Sequence, residues 1–162
     1  VVVCLKAPPL LLKNKFKMKK EIFDQNVTIT SDKIHNELLY KGNIELEQLN
    51  ILKDYYSDYQ VRVNGSIELP NCSLKEIPVN FISVTGDFNV FNNDLKSLEN
   101  CPREVGGTFN IASNALIFTK KEIEEHSNVK KYIYVENFNK NLEVLIEKLE
   151  KFTNKKVLLE DK

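Results

Sequence analysis

Two histidines, three cysteines and one Gly-Gly pair are the residues of this 162-residue chain whose types could carry chemistry. A zinc or other transition-metal site draws His and Cys together at short, regular spacings. Neither His35 nor His126 lies at such a spacing from a cysteine or an acid, so both read as solvated helix residues. A covalent mechanism would need a nucleophile with its base, or a Gly-x-Ser-x-Gly elbow; a nucleotide site would need a P-loop or a dinucleotide fingerprint. None of these patterns occurs. Gly106-Gly107 stands alone, and Cys101 beside Pro102 reads as a buried thiol. Cys4, Cys72 and Cys101 make an odd, sparse set that suits a reducing compartment better than a disulfide framework. The acidic residues Glu122, Glu124 and Glu125, and Glu143, Glu147 and Glu150, share their segments with lysines and read as solvated faces. The expectation is therefore no enzyme, no cofactor and no metal.

A repeat occupies the middle of the chain and claims several of these residues. Val63, Val84 and Val105 are spaced 21 residues apart, and Gly65, Gly86 and Gly107 fall in the same register. So do Ile67, Phe88 and Phe109, then Leu69, Val90 and Ile111, then Leu74, Leu95 and Leu116. Each window reads Val-x-Gly-x-apolar-x-apolar-x-x-(Cys/Asn)-x-Leu. Alternate apolar residues imply a short strand with one buried face. The glycine before each strand suits a turn with positive φ or a close backbone approach. Cys72, Asn93 and Asn114 form one column that must point inward. A buried Asn without partners would cost about 1–3 kcal/mol, so this column requires backbone groups of a stacked neighbour. Cys72 there would act as a small hydrophobe.

The running text Val61-Arg62-Val63-Asn64-Gly65, Leu74-Lys75-Glu76-Ile77-Pro78, Val84-Thr85-Gly86-Asp87-Phe88, Asn92-Asn93-Asp94-Leu95-Lys96-Ser97-Leu98-Glu99-Asn100-Cys101-Pro102 and Val105-Gly106-Gly107 resembles the short-period leucine-rich repeats of bacteriophages and their low-GC hosts. The resemblance covers about a third of the chain and weakens after Leu116, at Ile117-Phe118-Thr119. It implies an α/β (α+β) solenoid, a stack of about three repeats between helical and strand caps. Its core would be Ile67, Leu69, Cys72, Leu74, Phe88, Val90, Asn93, Leu95, Phe109, Ile111, Asn114 and Leu116. A role as a protein-binding module directed at a host protein also follows from the resemblance.

The elements that hold this stack are read from periodicity. Residues 1–17 are expected to be a disordered leader or sequence foreign to the native product, with Met18-Lys19-Lys20 resembling a start. Residues 18–43 form an N-terminal extension: a strand from Glu21 to Thr30, then a helix capped by Ser31 and carrying Ile34, Leu38 and Leu39. Residues 44–136 form the capped repeat unit. It opens with a helix from Ile44 to Tyr56 and a strand from Tyr59 to Val63. It closes with a helix from Thr119 to His126, marked by Thr119 and Glu122 at capping-box spacing, and a strand from Lys130 to Val135. Residues 137–162 carry Leu142, Leu145, Ile146, Leu149 and Phe152 on one stripe, as in an amphipathic helix that docks on the core or on a partner.

Lys and Arg total 23, as do Asp and Glu, so no net field favours nucleic acid or an anionic membrane. No window reaches the run of roughly 18 apolar residues of a membrane span. A protein partner is expected, a bacterial host protein bound in the host cytoplasm. The candidate face is the outward side of the repeat strands: Ser66, Glu68, Asp87, Asn89, Phe91, Thr108 and Asn110, flanked by Pro70 and Ala112. Phe91 is its one large aromatic, either a binding anchor or covered by a flanking segment. The alternative is a virion or assembly component that makes self-contacts through the repeats and the C-terminal helix.

Overall fold

The computed structural model describes residues 17, 19–31 and 36–136. The leader over 1–16, the 32–35 start of the helix expected after Ser31 and the whole 137–162 segment lie outside the described residues.

The elements run as follows. A helical stretch over 19–24 (α1) precedes β1 (Val27–Ser31) and β2 (Asn36–Lys41). Next come α2 (Leu46–Tyr55), β3 (Gln60–Asn64), β4 (Ile67–Glu68), β5 (Asn80–Val84) and β6 (Phe88–Asn89). The chain then forms β7 (Glu104–Val105), β8 (Phe109–Asn110), α3 (Lys120–His126), β9 (Asn128–Val129) and β10 (Ile133–Tyr134). No described helix is long and apolar enough to cross a membrane.

The expected architecture, a leucine-rich-repeat solenoid of about three repeats between caps, is corrected. The described residues form a mixed α/β fold with two sheets. One is a six-stranded mixed sheet in the order β1-β2-β3-β5-β7-β9, and the other a four-stranded parallel sheet in the order β10-β8-β6-β4. β1 pairs antiparallel with β2, and every other pairing is parallel. The physical reason lies at the glycines. Alternation alone implies one strand per 21-residue window, but the chain turns a corner at Gly65, Gly86 and Gly107. Val63, Val84 and Val105 therefore belong to the six-stranded sheet, while Ile67, Phe88 and Phe109 belong to the four-stranded one.

The corner needs glycine for space. A Cβ on Gly107 would lie 2.8 Å from the Gly86 carbonyl oxygen, and one on Gly86 would lie 2.8 Å from that of Gly65. Amide donors also run down this column, from Gly86 N to Gly65 O and from Gly107 N to Gly86 O, both at 2.8 Å. Adjacent passes of chain thus touch backbone to backbone. A methyl group would force them apart.

The passes extend beyond the three windows of the sequence period. Tyr40 pairs with Val63, and Ile44 bridges Ile67, so the chain between them is an earlier pass. Val129 pairs with Val105, and Ile133 with Phe109, which adds a later one. Leu38, Val61, Val63, Phe81, Val84 and Val105 from one sheet face Ile67, Phe88, Val90, Phe109 and Ile111 from the other in a single core. Phe88 and Phe109 meet edge to face at 4.9 Å between centroids, a favoured aromatic geometry.

The flanks differ from expectation in instructive ways. The helix expected from Ile44 to Tyr56 is present as α2, with Gln48 Oε1 accepting from Glu45 N at 3.1 Å. The capping box of α3 is present too: Thr119 Oγ1 accepts from Glu122 N, and Glu122 Oε2 accepts from Thr119 N. The strand expected from Glu21 to Thr30 is instead helix through residue 24, then β1. Phe23 belongs to that helix and stacks on Tyr40 at 4.5 Å. Leu38 and Leu39 sit in β2, not a helix, because alternation buries Leu38 and Tyr40 against the next strand. The strand expected from Lys130 to Val135 is shortened to β10, because Lys130-Lys131 form the corner that carries the chain from β9 in one sheet to β10 in the other.

Candidate binding face

The outward side of the four-stranded sheet is built from register. Strand pairing places Glu68, Asn89, Asn110 and Tyr134 in one row across the sheet. One residue earlier than each inward side chain lie Ser66, Asp87, Thr108 and Tyr132, which alternation directs outward as well. Ser66, Glu68, Asp87, Asn89, Thr108 and Asn110 are half-buried, as is Pro70, whereas Ala112 is buried. The structure therefore brings all seven candidate residues to one face.

Much of their polarity is used inside the sheet. Asn43 Oδ1 accepts from Ser66 N at 2.9 Å, Ser66 Oγ from Asp87 N at 3.0 Å, and Asp87 Oδ1 from Thr108 N at 2.7 Å. Each side chain thus holds the backbone of the following pass. Asn89 Nδ2 donates to Glu68 Oε2 at 2.9 Å, and Asn89 Oδ1 accepts from Phe91 N at 3.2 Å. The face is a hydrogen-bonded platform with its side chains already oriented, which lowers the ordering cost of any contact made on it.

Three large aromatic side chains rise from this platform. Phe91 is 38% exposed, Tyr132 66% and Tyr134 52%. Tyr132 and Tyr134 lie 6.5 Å apart between ring centroids. Phe91 stands two strands over and two residues further along than Tyr134, roughly 12 Å away by strand spacing and rise. Sequence reasoning singled out Phe91 and missed the two tyrosines as members of the face. The usable signal was the alternation Tyr132-Ile133-Tyr134. Ile133 follows Phe109 by 24 residues, so the 21-residue period did not align it.

Behind the face, the Cys72–Asn93–Asn114 column locks successive passes together. Asn93 Oδ1 accepts from Cys72 N and Leu74 N, both at 3.0 Å, and its Nδ2 donates to Leu69 O at 2.8 Å and Val90 O at 3.0 Å. Asn114 Oδ1 accepts from Leu95 N, and its Nδ2 donates to Val90 O and Ile111 O. Ile67, Leu69, Phe88, Val90, Leu95, Phe109, Ile111, Asn93 and Asn114 are buried. Cys72 and Leu74 are half-buried, and Leu116 is 47% exposed because no described pass covers it on the far side.

The reactive residue types are tied into structure. Burial pushes the Cys101 thiol up to about 12, so it stays protonated at neutral pH. Burial also raises Cys72, whose Sγ lies 3.4 Å from Pro70 O. His126 Nε2 lies 3.1 Å from Cys101 O, and Arg103 Nη1 lies 3.0 Å from His126 Nδ1. With Arg103 donating, Nδ1 must accept and Nε2 must carry the proton, which selects one neutral tautomer. Burial first and the Arg103 charge second hold the imidazole below its ordinary pKa, against the Cys101 carbonyl bond, which raises it. Among the described residues no group of three or more His, Cys, Asp or Glu could hold a metal ion. His35 lies outside the described residues. Comparison with protein-family models, with curated proteins and with solved structures finds no match to this chain.

Proposed function

We propose that the chain is a non-catalytic protein-binding module that grips its partner with the outward face of the four-stranded sheet. The observation that carries this reading is the exposure of Phe91, Tyr132 and Tyr134 on one hydrogen-bonded platform. Aromatic side chains desolvate large areas with few torsions to freeze, and they dominate protein interfaces energetically. The polar rows of Glu68, Asn89 and Asn110 supply the surrounding complementarity. The resemblance of the repeat text to phage and low-GC bacterial proteins supports a bacterial host protein as the partner class, with an enzyme or defence complex inhibited by occlusion.

Affinity capture from a bacterial host lysate tests this. The wild-type chain is expected to retain one partner in stoichiometric amount, and a Phe91→Ala/Tyr134→Ala chain of unchanged Tm is expected to lose it. Equal capture by both chains, or capture of nothing by either, overturns the reading.

A further inference from the structure

The outward face of the four-stranded sheet carries charge of one sign, although the chain as a whole is balanced at 23 basic and 23 acidic residues. Its four passes cover residues 66–70, 87–91, 108–112 and 132–136, and none of these is Lys or Arg. Glu68 and Asp87 stand at outward positions, and exposed Glu136 continues the outward alternation of Tyr132 and Tyr134 past β10. The nearest lysine in sequence, Lys131, sits at the corner, where its amide donates to Gly107 O at 3.1 Å.

The two central carboxylates are held by one oxygen each. Asn89 Nδ2 donates to Glu68 Oε2, and Thr108 N donates to Asp87 Oδ1. Glu68 Oε1 and Asp87 Oδ2 have no partner among the described residues. Each carboxylate is thus oriented by the sheet and keeps an oxygen for an incoming donor. Across the sheet from them, the exposed Tyr132 and Tyr134 rings present π-faces that attract a cation.

The spacing suits one kind of ligand. Glu68 and Tyr134 share a row three strand steps apart, about 14 Å at the usual strand separation. An extended chain covers about 13 Å in four residues. Two side chains four residues apart therefore reach the carboxylate and the ring together. Arginine matches both ends, because its planar guanidinium stacks on an aromatic face and also donates in a fork to a carboxylate.

Charge complementarity also separates the occupants. A second copy docked face to face would set these carboxylates against their own kind. Residues 137–162 carry six lysines and five acidic residues, so they bring almost no net charge.

Resting on the reading of this face as the gripping surface, we propose that the partner presents to it a basic, arginine-bearing extended segment. Its guanidinium groups lie over the Tyr132 and Tyr134 rings and against the Glu68 and Asp87 carboxylates.

A fluorescein-labelled decapeptide of alternating arginine and serine is the probe, with its citrulline counterpart, which keeps the shape and loses the charge. Fluorescence polarisation with the full chain should show saturable binding of the arginine peptide alone. Binding should fall steeply between on the order of 0.05 M and 0.5 M NaCl. Glu68→Gln/Asp87→Asn keeps the acceptor oxygens that hold Asn89 and Thr108, so Tm should stay unchanged while binding weakens about fivefold or more. Glu124→Gln/Glu125→Gln, which removes two exposed carboxylates on α3, should bind as wild type does.

Equal binding of the citrulline peptide, insensitivity to salt, or equal losses in the two double variants overturns the proposal. So does absent binding, the outcome expected if a second copy or the chain's own lysines at 6, 13 and 15 already fill the face. The lysate capture separates this proposal from the reading beneath it. A partner lost by Phe91→Ala/Tyr134→Ala yet retained by Glu68→Gln/Asp87→Asn at high salt leaves the face standing and its basic ligand fallen. Arginine-peptide binding of the expected kind with no captured partner leaves the ligand chemistry standing and the host-protein reading fallen.

Discussion

Replacing Asn93 with Ala removes five hydrogen bonds at a buried position, and the structure says what each loss leaves behind. The Cys72 and Leu74 amides lose their acceptor, and the Leu69 carbonyl loses its donor. The Val90 and Phe91 carbonyls keep partners, because Asn114 Nδ2 also donates to Val90 O and Asn71 N to Phe91 O, both at 3.0 Å. Three orphaned backbone groups at about 1 kcal/mol each give a loss of about 3 kcal/mol. The low end of the range applies because Cys72 and Leu74 are half-buried and water can reach part of the gap.

The shared carbonyl makes the prediction sharper. Asn114→Ala alone leaves Val90 O bonded to Asn93, whereas the double variant strips it of both side-chain donors. The double variant should therefore lose about 1 kcal/mol more than the two single losses added together. Urea unfolding followed by circular dichroism and by tyrosine fluorescence measures all four chains, with agreement of the two probes as the two-state check. A single loss under about 1 kcal/mol, or strict additivity in the double variant, would contradict this account of the column.

Three further outcomes are expected. Gly107→Ala should lower Tm severely or abolish folding, since the new Cβ would press on the Gly86 backbone; a scanning calorimetry trace near wild type would count against the close approach. His126 is held below its ordinary pKa in the folded chain, so the unfolded chain takes up the proton first. Stability should accordingly be level above about pH 7 and fall as pH drops through the ordinary His range near 6.5; His126→Gln should flatten that portion of a denaturant-midpoint profile. Cys101 should resist alkylation by iodoacetamide at about pH 8 in the folded chain and react on unfolding, as read by peptide mass spectrometry, because its thiol is buried and protonated.

The interior of the stack was legible in the sequence because every pass must fill the same cross-section. Val63, Val84 and Val105, or Ile67, Phe88 and Phe109, meet the same neighbours at the same depth, so the 21-residue columns are physical constraints written as spacing. The end passes were not legible. Gly65 follows Gly42 by 23 residues, and Val129 follows Val105 by 24, because α2 and α3 are accommodated on these passes. The two-sheet architecture was hidden for a different reason. A glycine inside an apolar alternation reads equally as a turn before one strand or a corner between two. Only pairing distinguishes them. Leu116 kept the period yet lies at the surface, since a column predicts burial only where another pass follows. The face was legible at Phe91 and illegible at Tyr132 and Tyr134, whose pass departs from the period.

The in-register stacking has a kinetic consequence. The bonds from Asn93 to Cys72 and from Asp87 to Thr108 each bridge 21 residues, and those from Asn93 and Asn114 to Leu69 and Val90 bridge 24. Closing a loop costs entropy that depends on its length, so each pass added during folding meets nearly the same barrier as the one before it. A chain built this way has no late step that must join distant ends. Folding can advance pass by pass from a central pair such as β6 and β8, and a chain lengthened by one further pass should fold at a similar rate per pass.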